Sequence, residues 1–175
     1  MQTDPPRYVP VARPVSAGAS AEALHRAVSA ARLAPSAGNA QPWRWQLSDA
    51  CLDLFVEPRR MTDAGEPGER LAAIGCGAAL QHARLLLAAS GWRVTVIRQP
   101  DSVDPHHVAR LHIDAVARIG QRAVRMARQI RLRHTDQRPV TGEPLRSPDI
   151  AALTQAGEAA GSHLHVLGPE QILPL

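Results

Sequence analysis

Two short segments of this 175-residue chain hold most of the side chains that could bind a charged or polar ligand. In RHTDQRP, residues 133–139, Arg133 and Arg138 supply guanidinium groups and Thr135 supplies a hydroxyl. Guanidinium forks and hydroxyls hold phosphate through charge-assisted and bidentate hydrogen bonds. The segment therefore indicates a phosphate site, while a solvated arginine-rich loop after a helix is the plainer alternative.

The second segment is APSAGNAQPW, residues 34–43. Proline stiffens its backbone, and Gly38 permits close approach of another group. Its hydrogen-bonding side chains are Ser36, Asn39 and Gln41. This combination suits the polar edge and flat face of a planar heterocycle. The alternative is a helix exit that leads into a strand, in which Asn39 and Gln41 cap backbone groups.

The spacing of apolar residues predicts the helices and strands that must position these segments. Helices are predicted over residues 20–34, 63–91, 118–132 and 149–160. Strands are predicted as a hairpin over 43–58 with its turn at Asp49 and Ala50, and over 92–99, 108–116 and 162–168. Each of the two segments therefore follows directly on a predicted helix.

Individual residues allow more specific predictions about these helices. Ser20 is expected to cap the first helix, and Pro35 to end it by restricting the residue before it. The middle of the second helix is apolar on nearly every side, which predicts a central, buried helix. Gly75 and Gly77 within it weaken a helix, so they predict close approach of another backbone or a kink.

The distribution of charge argues against a nucleic-acid-binding surface. The net charge is +4, but residues 118–138 hold seven arginines and one aspartate, a formal charge of +6. No aromatic residue interrupts this segment to stack on bases. A local anion site fits this pattern better than a nucleic-acid partner.

The cysteine and histidine residues give no metal-binding pattern. Cys51 and Cys76 lack zinc spacing and are expected to be reduced thiols. His163 and His165 would share a strand face without a third ligand, and His106 and His107 are expected in a solvated turn. Motifs for nucleophilic, zinc or dinucleotide chemistry are also missing from the sequence, so a bound cofactor is expected to supply any chemistry.

The first 19 residues form a proline-rich leader that we expect to be disordered. The leader lacks the apolar core of a signal peptide, and no segment approaches the ~18 consecutive apolar residues of a membrane span. A cytoplasmic protein without a membrane partner is the expectation.

At APSAGNAQPWRW, residues 34–45, the chain resembles the nitroreductase superfamily, whose A-P-S-x-x-N-x-Q-P-W loop lies against bound FMN. Three later stretches are similar to the actinobacterial Acg-type branch: MTDAGEPGERLAAIGCGAAL, then GWRVTVIRQPD followed by DPHHVARL, then RLRHTDQRPV. The similarity runs from about Ser20 to near Gly168. It implies an α+β, nitroreductase-like fold that is incomplete, with a central buried helix, antiparallel strands and flanking helices.

The resemblance also implies two groups of cofactor-binding residues. Those expected at the flavin ring and ribityl chain are Pro35, Ser36, Asn39 and Gln41. In the superfamily an R-[RH]-[ST]-x-[RK] segment holds the FMN phosphate, and the residues that match it are Arg133, His134, Thr135 and Gln137, with Arg138 adjacent. Gln137 stands where the family has its second basic residue. We name no catalytic acid or base from the sequence, and we expect no metal ligand.

Acg-type proteins resemble two nitroreductase halves fused in one chain. On that pattern the leader 1–19 precedes a first half over residues 20–116, and residues 117–175 begin a truncated second half. Because most of the second half is absent, the resemblance implies a homodimer or a partner chain that covers the apolar surface left open.

The implied activity is that of an FMN-dependent oxidoreductase. The flavin would take hydride from NAD(P)H and reduce a small-molecule acceptor, such as a nitroaromatic compound or a quinone. Two alternatives stay open at this point. The chain could be a non-catalytic protein that binds or stores flavin, or a truncated remnant that binds no flavin.

Overall fold

A computed structural model describes residues 17–48, 51–61, 65–136, 138, 144–168 and 171. The helices are α1 (Ala17–Ala31), α2 (Glu66–Ala89), α3 (Gln121–Leu132) and α4 (Ser147–Ala159), with short 3-10 turns at Ala37–Asn39 and Pro58–Arg60. The strands are β1 (Trp43–Ser48), β2 (Cys51–Val56), β3 (Trp92–Arg98) and β4 (His107–Val116). This mixture of helices and antiparallel strands confirms the predicted α+β class.

The strands form one antiparallel sheet in the order β1-β2-β4-β3. In the β1–β2 hairpin Trp43 pairs with Val56, Trp45 with Leu54 and Leu47 with Leu52, which confirms the predicted hairpin. Its predicted turn at Asp49 and Ala50 lies outside the described residues. Alternating apolar residues direct one face of the sheet toward the helices, because successive side chains of a strand point to opposite faces.

Helices α1 and α2 cover that face, which we call the inner face, and form the core with it. The largest fully buried apolar side chains are Leu24, Leu52, Leu54, Leu87, Leu111 and Cys76. Burial of each leucine contributes roughly 1.5–3 kcal/mol. Alanines such as Ala27, Ala79 and Ala83 are also buried, and these small residues let the helices lie close to the sheet. The core is therefore aliphatic, in keeping with an aromatic content of 3%.

Helix α2 packs against α1, α3 and the sheet with only part of its surface. On the remaining face Leu71 is 41% exposed and Ile74 is 70% exposed, so the prediction of burial on all sides is wrong there. The helix is also long and apolar enough to cross a bilayer by length and composition, contrary to our expectation that no segment approaches this. Its contacts are those of a core helix, which can have the same length and composition.

Two predicted details near the chain ends differ from the structure. Helix α1 starts at Ala17, and Ser20 lies inside it with 1% exposure, so the predicted N-cap at Ser20 is wrong. Residues 162–168 are irregular, and all but Gly168 are exposed. The predicted strand there does not form because a strand requires a pairing neighbour, and the described part of this region offers none.

The outer face of the sheet holds a buried ionic cluster. The carboxylate of Asp53, 4% exposed, accepts hydrogen bonds from Arg110 Nε at 2.7 Å and Arg110 Nη2 at 3.2 Å. His107 Nε2 lies 2.8 Å from Asp53 Oδ1, and its ring stacks on Phe55. The expected solvated turn is therefore wrong for His107, which begins β4 and is 6% exposed.

By its contacts the chain divides into two units, Met1–Thr135 and Asp136–Leu175. The sheet and helices α1 to α3 belong to the first unit, and α4 belongs to the second. The division at residues 116 and 117 implied by fused halves stays a prediction. The leader is described only from residue 17, where the chain is already helical.

Candidate functional site

The loop from residue 32 to residue 42 connects α1 to β1 and is held by its own hydrogen bonds. At the end of α1, the amides of Leu33 and Ala34 bond to carbonyls three residues back, at 3.1 and 3.0 Å. The hydroxyl oxygen of Ser36 accepts a hydrogen bond from the backbone N–H of Gln41 at 2.9 Å. Ser36 thus fixes the width of the turn that presents Asn39.

Three residues of this loop have left-handed backbone angles. The φ angles are 55° at Gly38, 55° at Asn39 and 49° at Gln41. For residues other than glycine this region costs roughly 1–2 kcal/mol, and asparagine tolerates it better than most. Such strain persists only where neighbouring contacts hold it, and it concentrates at binding sites. The loop conformation therefore depends on what packs around it.

Helix α2 supplies that packing through Gly75 and Cys76. A Cβ atom at Gly75 would lie 3.4 Å from Ser36 Cβ and 3.5 Å from the Trp43 ring, so Gly75 packs against side chains of the loop and of β1 rather than against the predicted second backbone. Gly77 differs, because it is exposed and a Cβ would meet no described atom within 4 Å. The Cys76 thiol donates to the Pro42 carbonyl at 3.5 Å, and burial raises the pKa of that thiol to about 12.

The C-terminal end of α1 is where residues of the two predicted segments meet. Arg133 Nη2 donates to the Leu33 carbonyl at 3.2 Å. Gln41 Nε2 donates to the neighbouring carbonyl of Arg32 at 3.3 Å. A positive charge is favourable there, because the end of a helix carries unsatisfied carbonyls and partial negative charge. Both side chains therefore lie at the same helix end.

The residues after Arg133 extend this group of polar side chains. Arg133 Nη1 lies 3.5 Å from Thr135 Oγ1, to which it donates. His134 Nδ1 lies 3.3 Å from the Leu132 carbonyl. Their side chains are exposed, as are Pro35 and Asn39 of the loop, whereas Ser36 and Gln41 are half-buried. The arrangement is an open surface with one cation, a hydroxyl and an amide available to a ligand.

The remaining predicted phosphate residues belong to the second unit or fall outside the described residues. Arg138 Nη2 donates to Asp136 Oδ2 at 2.6 Å, and its Nε donates to Asp136 Oδ1 at 2.9 Å. These hydrogen bonds hold the pKa of Asp136 below its ordinary value. Gln137 lies outside the described residues. The assignment of Arg138 to a phosphate therefore stays a prediction, and its described guanidinium contacts are with Asp136.

His82 of α2 was not anticipated from the sequence. Burial lowers its pKa, the adjacent backbone of Ala30 raises it, and the charge of Arg133 lowers it further. Its Nδ1 is buried without a hydrogen-bond partner in the described part of the chain. The lowered pKa favours the uncharged imidazole beside Arg133. Its only sequence signal is a polar residue in the apolar stretch of α2.

Comparison with known proteins identifies relatives of this chain, although no protein-family model matches it. It is 33% identical to Rv3131 of Mycobacterium tuberculosis, provisionally named an NAD(P)H nitroreductase, over 141 residues, which cover 81% of this chain and 41% of the relative. It is 36% identical to acg of the same organism, named in the same way, over 123 residues, covering 70% and 37%. The uncharacterized protein Rv3127 is 32% identical over 120 residues, covering 66% and 35%. The chain thus spans about two fifths of the length of these relatives.

Proposed function

Because this chain belongs to the nitroreductase superfamily and has relatives of the Acg type, we propose that it binds FMN and serves NAD(P)H-dependent reduction. Nitroaromatic compounds and quinones are the proposed acceptors. The observation that carries the proposal is the meeting of Arg133 and Gln41 at adjacent carbonyls of one helix end. Two segments with phosphate-binding and ring-binding chemistry thereby become neighbours.

The donor chemistry of these residues fits FMN. Arg133 and Thr135 would hold the phosphate, since a guanidinium and a hydroxyl both bond to phosphate oxygens. Asn39, Gln41 and Ser36 would bond to the polar edge of the ring and to the ribityl hydroxyls, with Pro35 against the ring. His134 matches the family motif and joins the proposed binding set. Gln137 stands at the second basic position of the motif and Arg138 is adjacent to it, so these two belong to the proposed set by sequence position alone.

The flavin would supply hydride and electron transfer, and the protein would supply binding, orientation and electrostatics. Arg133 places a permanent positive charge beside the loop, which favours an anionic cofactor. The strained turn at Asn39 would orient donors in advance, so less ordering is required on binding. We assign no proton-transfer role, because the polar side chains proposed to contact the ring, Ser36, Asn39 and Gln41, are neither acids nor bases.

The open character of this surface bears on partners. A planar ring laid against Pro35 and Asn39 would have its other side in water, because both residues are exposed. We propose that a second copy of the chain, or a chain equivalent to the remaining length of the relatives, covers it. The exposed apolar residues Leu71 and Ile74 of α2 would join that contact. The proposed compartment is the cytoplasm.

The proposal is tested by the flavin content of the purified 175-residue chain. We expect a yellow protein, or a colourless one whose melting temperature rises when FMN is added, because a ligand specific for the native state stabilises it. At a hundredfold excess over Kd this stabilisation is about 2.7 kcal/mol. A colourless protein that FMN does not stabilise would overturn the proposal.

Turnover decides between an enzyme and a flavin-binding protein. Flavin-loaded protein should oxidise NADPH or NADH when a quinone or nitroaromatic acceptor is present. Flavin binding without oxidation of either nicotinamide would refute the reductase part and favour storage or binding of flavin. Free FMN at the same concentration is the control. An equal rate with free FMN would mean that the reaction takes place outside the protein.

A further inference from the structure

A cavity lies in the first unit, between helices α1, α2 and α3. Its volume is about 180 Å³. Its lining residues are Arg26, Ser29, Ala30, Leu33, Leu86, Ala127, Ile130 and Arg131. Apart from Leu33, whose carbonyl binds Arg133, none of these residues takes part in the proposed flavin site. The cavity therefore requires its own explanation.

The floor of this cavity is apolar and its rim is positively charged. Leu86, Ala127 and the 5%-exposed Ile130 line it with methyl and methylene groups. The two cations, Arg26 and Arg131, come from different helices.

The lining residues include no carboxylate that would neutralise these cations inside the cavity. Arg26 is 3.6 Å from Glu22, an exposed pair on the surface of α1. Arg131 has no ion pair within the described ranges. Exposed ion pairs such as Arg26–Glu22 contribute little to stability, so the guanidinium groups of Arg26 and Arg131 both stay available to an anion. The hydroxyl of Ser29 is directed to the His25 carbonyl at 3.1 Å, which leaves its oxygen as an acceptor.

The size of the cavity sets the size of its ligand. An apolar cavity of about 150 Å³ holds one benzene ring, whereas pockets for larger organic ligands occupy about 300–1,000 Å³. A cavity of about 180 Å³ therefore matches one ring with a short substituent and is smaller than pockets that hold ligands of the size of FMN.

We propose that this cavity binds a small carboxylate with an aromatic or branched apolar body, of about the size of benzoate. The body packs on Leu86, Ala127 and Ile130, and the carboxylate pairs with Arg131 and Arg26. Arginine suits this ligand because its fork donates two parallel hydrogen bonds to one carboxylate. Because the carboxylate and the apolar body both contribute to binding, neither acetate nor benzyl alcohol should bind as tightly as benzoate.

The experiment is a titration of the 175-residue chain with benzoate, followed by two-dimensional amide NMR. Benzoate should bind saturably and shift the amides of residues 26–33, 86 and 127–131. Acetate, which lacks the ring, and benzyl alcohol, which lacks the charge, should each bind about tenfold more weakly or not at all. Saturating FMN should leave benzoate binding unchanged, so this result does not depend on the flavin proposal.

Two variants locate the site. Arg131→Gln should weaken benzoate binding about tenfold, whereas Arg128→Gln, an exposed arginine of the same helix outside the cavity, should not. Ala127→Leu should fill the cavity and abolish binding while the melting temperature shows a folded chain. The proposal is overturned by non-saturable benzoate binding, by equal effects at Arg131 and Arg128, or by displacement of benzoate when FMN is added.

Discussion

The guanidinium group of Arg133 donates a hydrogen bond to the backbone carbonyl of Leu33 at 3.2 Å, although 100 positions separate the two residues. This contact closes the end of α1 with a side chain that follows α3. It places the positive charge at the start of the loop that carries Gly38 and Asn39. The proposed phosphate and ring contacts are therefore parts of one surface.

Replacement of Arg133 tests the phosphate assignment. Arg133→Ala should weaken FMN binding about 10- to 100-fold, because a charged hydrogen-bonding group is lost. Arg128→Ala removes the same charge from an exposed position of α3 and should change the affinity little. Affinity is measured by quenching of flavin fluorescence. Equal losses in both variants would mean that only net charge matters.

Two substitutions of Asn39 distinguish its backbone strain from its proposed role in ligand binding. Asn39→Gly should keep or raise the melting temperature, since glycine adopts a φ of 55° freely, but it should weaken flavin binding through loss of the amide. Asn39→Val should lower the unfolding free energy by about 1–2 kcal/mol, because a β-branched residue is strained there. Chemical denaturation measures the change in unfolding free energy, and flavin titration measures the change in affinity. Unchanged affinity in the glycine variant would remove Asn39 from the site.

Gly75 and Gly77 of α2 form a matched pair for a packing test. Gly75→Leu should destabilise the chain by about 1–3 kcal/mol, because the added side chain would be forced against Ser36, Pro42 and Trp43. Gly77→Leu faces open space and should stabilise the helix by up to about 1 kcal/mol. Urea denaturation measures both. Destabilisation of the same size by both variants would contradict the contact between α2 and the loop.

The ionic cluster of the outer sheet face should matter more for stability than an exposed ion pair. Asp53→Ala leaves His107 and Arg110 without their acceptor and should cost about 2–3 kcal/mol. Asp136→Ala breaks the exposed pair with Arg138 and should leave the unfolding free energy almost unchanged. The comparison is made by thermal and urea unfolding. A larger effect at Asp136 would overturn the ranking.

The buried thiol of Cys76 predicts an alkaline loss of stability. Its pKa is raised from 9.0 to about 12, so the folded state favours the neutral thiol. That contribution is complete below pH 9 and is lost as the pH rises toward 12, since only the unfolded chain ionises readily. In the Cys76→Ala variant the unfolding free energy should fall less over this range. If the unfolding free energy fell equally with pH in the unsubstituted chain and in Cys76→Ala, burial of the thiol would be contradicted.

Thiol labelling gives an independent measure of the burial of Cys76. At pH 8 a thiol reagent should modify half-buried Cys51 first, and Cys76 only as the chain unfolds. Cys51→Ala provides the single-thiol protein for this measurement. Rapid labelling of that variant under native conditions would show that Cys76 is accessible.

The sequence predicted the elements whose pattern is local. The hairpin alternation placed Trp43, Trp45 and Leu54 on one face, and the structure has that register. The long apolar helix was also predicted within a few residues of its bounds, Glu66–Ala89. Its exposed face was not predicted, since a pattern that is apolar on all sides does not say which side lacks a neighbour.

Failures occurred where an element depends on a distant neighbour. His107 was expected in water because its sequence neighbours are polar, yet β2 brings Asp53 against it. The apolar alternation of residues 162–168 predicted a strand, but a strand forms only with a paired neighbour. His82 was visible in the sequence only as a polar residue in an apolar helix, because its significance lies in its nearness to Arg133.

By itself the sequence determined the chemistry available: a loop with proline, serine, asparagine and glutamine, a later segment with arginine and threonine, and membership in a family. Tertiary structure alone decided that Arg133 and Gln41 share one helix end. The physical reason is that residue type fixes which bonds a side chain can make. Only the packed fold fixes which partner lies within about 3 Å of it.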